Sequence, residues 1–183
     1  MALITALRLP IDWTVFGWGP SVGAGRVTLH TGEPGWAWDP GAPAFSIPTM
    51  VSEPGKPVDG FWVDHIVLLV PDLQSAVDTL ERVGVSPRLR MPVGGRPAAF
   101  FRAGPVLEVI ESPVRDAALY GVALATDRSL EALALEWKAL GLNVGKIGPA
   151  IQKGRRIMTV HDVDAGLAVM SRDAALHAED QLT

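Results

Sequence analysis

The stretch from Asp64 to Ser112 is written a second time, with altered chemistry, from Tyr120 to Ser171. Each copy opens on a short apolar run, DHIVLLV and then YGVALAT. A stretch with helical spacing follows, DLQSAVDTLERVG and then SLEALALEWKALG. Each copy next reaches a Gly-Arg corner, MPVGGRPAAFF and AIQKGRRIMTV, and closes on VLEVIES and GLAVMS. The registers agree by subtraction: Leu130 − Leu73 and Gly141 − Gly84 are both 57, while Arg156 − Arg96 and Val169 − Val109 are both 60. A unit that recurs in this way cannot bury its apolar face alone, so the copies are expected to pack together and leave a cleft between them.

The internal pattern predicts the same order in both copies: one strand, one helix, then three strands. Over Val63–Val70, alternation puts His65, Val67 and Leu69 on one face and Ile66, Leu68 and Val70 on the other. Pro71 ends that strand, and Asp72 is placed to cap a helix whose stripe is Leu73, Ala76, Val77, Leu80 and Val83, stopped by Gly84. Strands are expected near Arg88–Val93, Arg96–Arg102 and Val106–Glu111. The second copy reads as a strand at Val122–Ala125, a cap at Ser129 and a helix stripe of Leu130, Leu133, Ala134, Trp137 and Leu140. Its strands are expected near Lys146–Gln152, Arg156–His161 and Leu167–Ser171. The fold class is therefore α+β: two tandem βαβββ modules, over 61–115 and 118–172, forming a curled mixed sheet around a cleft. A tail over 173–183 reads as a frayed helical end.

Residues 1–60 differ. They are rich in Pro and Gly and carry Trp13, Phe16, Trp18, Trp36 and Trp38. Short strands are expected at Trp13–Phe16 and Arg26–His30, and an aperiodic connection over Glu33–Gly60. This segment reads as an irregular N-terminal arm, either packed across the core or serving as a lid or dimerisation arm.

Several function classes are excluded early. The formal net charge of −4, with no basic stripe beyond Arg155-Arg156, argues against a nucleic-acid partner. The absence of cysteine removes disulfides, thiolate metal sites and cysteine nucleophiles. No apolar run reaches the roughly 18 residues of a membrane helix. No basic lead precedes the N-terminal apolar stretch, so a cytoplasmic protein is expected.

The paired βαβββ order, the Asp-His before an apolar strand, the wording VDHIVLLVPDLQSAVDTLERVG and the closing LEVIE resemble the vicinal oxygen chelate superfamily, the glyoxalase and bleomycin-resistance-like proteins. The resemblance covers roughly residues 62–172. That group includes glyoxalase I, extradiol dioxygenases, methylmalonyl-CoA epimerase and antibiotic-resistance binding proteins. It implies a homodimer and a small molecule taken between the modules. In its metal-dependent members each module gives two ligands, one from the first strand and one from the closing strand. Here that implies His65 and Glu108 as ligands for a divalent metal (zinc, nickel, manganese or iron), with Gly121 and Ala168 standing where the second pair would be.

Three readings of His65 and Glu108 stay open: a structural pair, a metal site with a third ligand from elsewhere, or a metal-free acid–base role. His30, Glu33, Asp39 and Glu53 are the arm's possible donors, and two chains placed side by side are another source. Glu108 is the candidate catalytic base, with Glu111 in its place if the register slips. Arg96, Arg155 and Arg156 stand at the corners, where an arginine pairs with backbone or meets an anion; Arg96 and Arg156 are the candidate ligand contacts. Trp36 and Trp38 are candidates to line the cleft, while Trp62 and Trp137 read as core. His161, Asp162 and Asp164 sit where the first copy turns, and HDVDAG reads as a hairpin turn. Function divides into a metal-assisted lyase, isomerase or dioxygenase and a metal-free protein that sequesters a small molecule.

Overall fold

The computed structural model describes residues 1–172, so the tail expected over 173–183 lies outside the described residues. Among the described residues, fourteen strands form two mixed sheets, accompanied by two α-helices. The first module holds β6 (Phe61–Val70), α1 (Leu73–Glu81), β7 (Pro87–Arg90), β8 (Ala98–Arg102) and β9 (Val106–Glu111). The second holds β10 (Ala118–Thr126), α2 (Leu130–Ala139), β11 (Asn143–Val144), β12 (Gly148–Pro149), β13 (Arg156–His161) and β14 (Gly166–Ser171). The expected caps are in place: Asp72 accepts from Ser75 N at 2.7 Å and Ser129 from Ala132 N at 3.3 Å, satisfying donors a helix start leaves orphaned. Gly84 and Gly141, at φ 79° and 89°, take the left-handed conformation just past each helix.

The modules join through their first strands. β6 and β10 pair antiparallel, β9 runs parallel to β6, and β14 runs parallel to β10, giving the order β11-β13-β14-β10-β6-β9-β8-β7 with β12 on β13. α1 rests on β8 and β9 and α2 on β14, over the side where Ile66, Leu68, Leu107, Val109 and Val169 are fully buried. His65, Val67 and Leu69 occupy the other side. From β7 to β13 is six strand positions, about 29 Å across a flat sheet. Residues of both nonetheless line one cavity, so the sheet curls. The expected strand over Lys146–Gln152 is instead reduced to the two residues of β12, with β11 lying ahead of it. Pro149 has no N–H for a ladder, and glycines occupy positions 145 and 148.

The N-terminal sixty residues correct the expectation of an irregular arm. They form a five-stranded sheet, β4-β1-β3-β2-β5, from β1 (Leu3–Leu9), β2 (Ser21–Ala24), β3 (Val27–Thr31), β4 (Gly35–Asp39) and β5 (Lys56–Pro57). The longest stretch without a strand is 40–55. Trp13–Phe16 is a 3-10 helix rather than a strand: Asp12 accepts from Thr14 N at 3.0 Å, and Gly17 closes the turn at φ 78°. Trp13 and Phe16, three apart, both point inward, which a helical turn achieves and a strand does not.

An aromatic cluster ties this sheet to the modules. Phe16 meets the Trp137 ring edge-on at 4.8 Å, and Trp18 meets Phe61 at 5.0 Å. Ile4 N also donates to Ala103 O at 2.8 Å. At Gly25 (φ 65°) any Cβ would lie 2.8 Å from the Trp62 Cβ, so the close approach of the two sheets there needs glycine.

Candidate functional site

β6 carries the site because its ladder is irregular there. Ala123 pairs with His65 and Leu124 with Val63, leaving Asp64 as an extra, unpaired residue. Such a bulge breaks the alternation and re-aims neighbouring side chains. Asp64 and His65 accordingly meet each other, with Asp64 Oδ2 3.0 Å from His65 Nδ1. The second module carries the matching irregularity at Tyr120, between Leu119 and Gly121, so the bulges are related as the copies are.

Four polar side chains then run in series across the module boundary. Arg155 Nη2 donates to Asp64 Oδ1 at 2.7 Å, Asp64 faces His65 Nδ1, and His65 Nε2 stands 3.6 Å from Glu108 Oε2. Glu108 is two positions along β9 from the Val106 that pairs with His65, so both side chains emerge on one face. All four are largely covered, at 10% to 19% exposure. Burial pushes the Asp64 carboxyl up, but hydrogen bonds from His65 and Arg155 and the Arg155 charge outweigh it and hold it below its ordinary value. Burial raises Glu108, and the opposing pull of His65 does not cancel that rise.

His65 and Glu108 open onto a cavity of about 580 Å³. Its walls come from both modules: Leu89, Met91, Phe100 and Val106 from the first, Pro149, Ile157 and Met170 from the second, with Ala150, Ile151 and Gln152 at one side. His65 and Glu108 are the only ionisable side chains among the lining residues. A smaller cavity of about 210 Å³ continues from His65 past Val67, Gly121 and Ala168.

The other expected contacts lie elsewhere. Trp36 and Trp38 are buried in the N-terminal sheet and meet edge-on at 5.2 Å, away from the lining residues. Arg96 donates to Ser112 Oγ at 2.5 Å, and exposed Arg156 pairs with Glu131. Glu111 is engaged at the start of α1, accepting from Leu73 N at 3.0 Å, which leaves Glu108 as the carboxyl at the cavity. Asp162 takes φ 60° in the turn between β13 and β14. Two contributors were missed in the sequence: Asp64 as a partner of His65, and Arg155 rather than its neighbour Arg156. Adjacent polar residues inside an otherwise apolar strand were the available signal for the bulge.

The residues do not fit a closed metal centre. Among the described residues no group of three metal-binding side chains converges. His30, Glu33, Asp39 and Glu53 line neither cavity at His65. The second pair is also blocked by packing, since a Cβ at Gly121 would sit 2.1 Å from Gly166 O. Two donors fall short of the roughly three protein ligands of a catalytic metal.

No family model matches the sequence, and no curated protein matches it. Solved structures do resemble the fold. Methylmalonyl-CoA epimerase from Mycobacterium tuberculosis matches with a TM-score of 0.52 at 15% identity, covering 66% of this chain and 93% of that one. A hypothetical protein from Bacillus halodurans C-125 gives 0.52 at 16% identity, covering 62% and 95%. A selenomethionine form of methylmalonyl-CoA epimerase gives 0.51 at 16%, covering 63% and 99%. With the paired modules described above, this gives the chain the vicinal oxygen chelate, glyoxalase-like fold.

Proposed function

We propose that this chain binds a small, uncharged, largely apolar molecule in the cavity between its modules, where His65 and Glu108 act as a metal-free hydrogen-bonding and proton-transfer pair. The observation that carries the reading is the lining itself: apolar walls from both modules converge on these two ionisable groups. With Nδ1–H directed at Asp64, the neutral His65 ring presents the Nε2 lone pair as an acceptor. Glu108, raised by burial, offers an O–H donor when protonated. A hydroxyl on the ligand satisfies both, donating to Nε2 and accepting from Glu108, and a carbonyl satisfies Glu108.

A carboxylate or phosphate head group is disfavoured. The nearby cation, Arg155, is committed to Asp64, so an anion here would meet Glu108 without a balancing charge. In its ionised form Glu108 is the group suited to take a proton from a carbon beside a ligand carbonyl. The metal-assisted version of this reading, with zinc, nickel, manganese or iron, has among the described residues only His65 and Glu108 to draw on, and no step here runs through a metal.

Titration with prodan, an uncharged naphthyl ketone whose emission shifts to the blue in apolar surroundings, tests the reading. Saturable one-to-one binding is expected, lost in Ala150→Trp, which fills the cavity from its side without touching Glu108. Glu108→Ala should weaken it about fivefold, the worth of one neutral hydrogen bond of about 1 kcal/mol. Unsaturable emission that is equal in wild type and Ala150→Trp would overturn the proposal.

A further inference from the structure

We propose that Arg155 and Asp64 are positioning residues that set the tautomer and aim of His65, so that the second module, having no ligand pair of its own, supplies the support for the first module's pair. The proposal rests on the reading of His65 and Glu108 as the cavity's working groups. It goes further by assigning a task to two residues that touch neither the cavity nor its occupant.

Arg155 is locked at two points. Its Nε donates to Ser171 O at 2.8 Å and its Nη2 to Asp64 Oδ1 at 2.7 Å. The guanidinium therefore spans from the end of β14 to the bulge in β6, two elements that are not neighbours in the strand order. A planar fork with fixed donor directions suits such a bridge, whereas an ammonium would make one contact and leave the other. Asp64 divides its two oxygens between partners, Oδ1 to Arg155 and Oδ2 to His65. Neither oxygen is free to turn away from the ring while Arg155 holds the other.

The consequence for His65 follows from proton counting. A carboxylate accepts and cannot donate, so the ring nitrogen facing it carries the hydrogen. In the neutral ring that fixes the lone pair on Nε2, the nitrogen that faces Glu108 at 3.6 Å. Without Asp64 the proton is free to sit on either nitrogen, and half of the productive arrangement is lost. Carboxylate partners that fix the tautomer and aim of a working imidazole are a general device.

The chain's own asymmetry adds a second line of support. In the second copy the residue corresponding to Asp64 is Tyr120, and the partners of His65 and Glu108 are Gly121 and Ala168. On the corner register of 60, Arg155 corresponds to Gly95 in the first copy. The copies thus diverge together at the pair and at the two residues that brace it. Arg155 also starts the return from the cavity's side: its N donates to Gln152 O and its O accepts from Ala150 N. The brace therefore fixes the wall segment and the imidazole at once.

Isotope-edited NMR of the histidine rings, read together with prodan affinity, tests this. Wild type should show His65 protonated at Nδ1 and bare at Nε2. Asp64→Ala and Arg155→Met should shift the ring to a mixture of tautomers, while prodan, which has no donor to offer Nε2, should keep its affinity within about twofold. Arg155→Lys, which keeps the charge but not the fork, should fall between and serves if Arg155→Met does not fold. If both ring nitrogens keep their wild-type signals in every folded variant, the positioning role is overturned and the bridge is structural. If wild type takes up no prodan while the tautomer still depends on Asp64 and Arg155, the cavity reading fails and the positioning role stands.

Discussion

Gly121→Ala probes why the second module holds no ligand pair. In an open strand a Gly-to-Ala change gains about 0.5–1 kcal/mol, because glycine loses more backbone freedom on folding. Here the added Cβ would lie 2.1 Å from Gly166 O and 2.6 Å from its C and Cα, all backbone atoms of the paired strand β14. An ordinary carbon contact of about 3.5 Å would need β14 to move by more than an ångström, breaking ladder bonds that also hold Ala168 in register. Overpacking against well-fixed structure costs about 3 kcal/mol. For a domain of this size that is a fall in Tm of about 6–12 °C. Gly148→Ala is the control: nothing lies within 4 Å of its Cβ, and its expected change is within about 0.5 kcal/mol. Thermal and urea unfolding of both variants measure the difference. A Gly121→Ala protein as stable as wild type would refute the argument that backbone approach, rather than mere substitution, closes the second half-site.

Burial raises Glu108, and a carboxyl with a raised folded pKa gives stability that is complete below its unfolded pKa and lost as pH rises through the folded one. Glu108→Gln should therefore match wild type in acid and exceed it as pH rises, which urea unfolding across pH checks; parallel curves would count against it. Prodan affinity should fall over the same rise, as Glu108 loses the proton it donates. Trp137→Ala should cost about 3–5 kcal/mol, because the ring is 1% exposed and packs on Phe16, Trp18 and Phe61; a loss under 1 kcal/mol would mean the N-terminal sheet is not held through it. Asp72→Ala should cost about 1 kcal/mol through its lost cap on Ser75 N, read by chemical denaturation, and an unchanged midpoint would remove the cap from the account.

What was legible in the sequence is what local chemistry dictates. The caps at Asp72 and Ser129, the terminating glycines and the alternation from His65 to Val70 act within a few residues, the duplication shows as a constant offset between the copies, and each is realised. His65 and Glu108 could be paired because the copies share a register. The N-terminal sheet was not legible, since its pairing of β1 with β3 and of β2 with β5 joins segments too distant for a local pattern to betray. Trp13–Phe16 was misread because four residues with apolar ends satisfy both a strand and one helical turn. Arg155 was undervalued beside Arg156 for a related reason. Two adjacent arginines look alike in sequence, and only the fold decides that one reaches Asp64, 91 positions away, while the other pairs with Glu131 at the surface.

The most direct test of the account is prodan binding to protein stripped with EDTA, repeated after addition of zinc, nickel, manganese or iron. The account predicts the same saturable affinity in every sample, abolished by Ala150→Trp. Binding that is absent in the stripped protein and returns with one of the metals would contradict it.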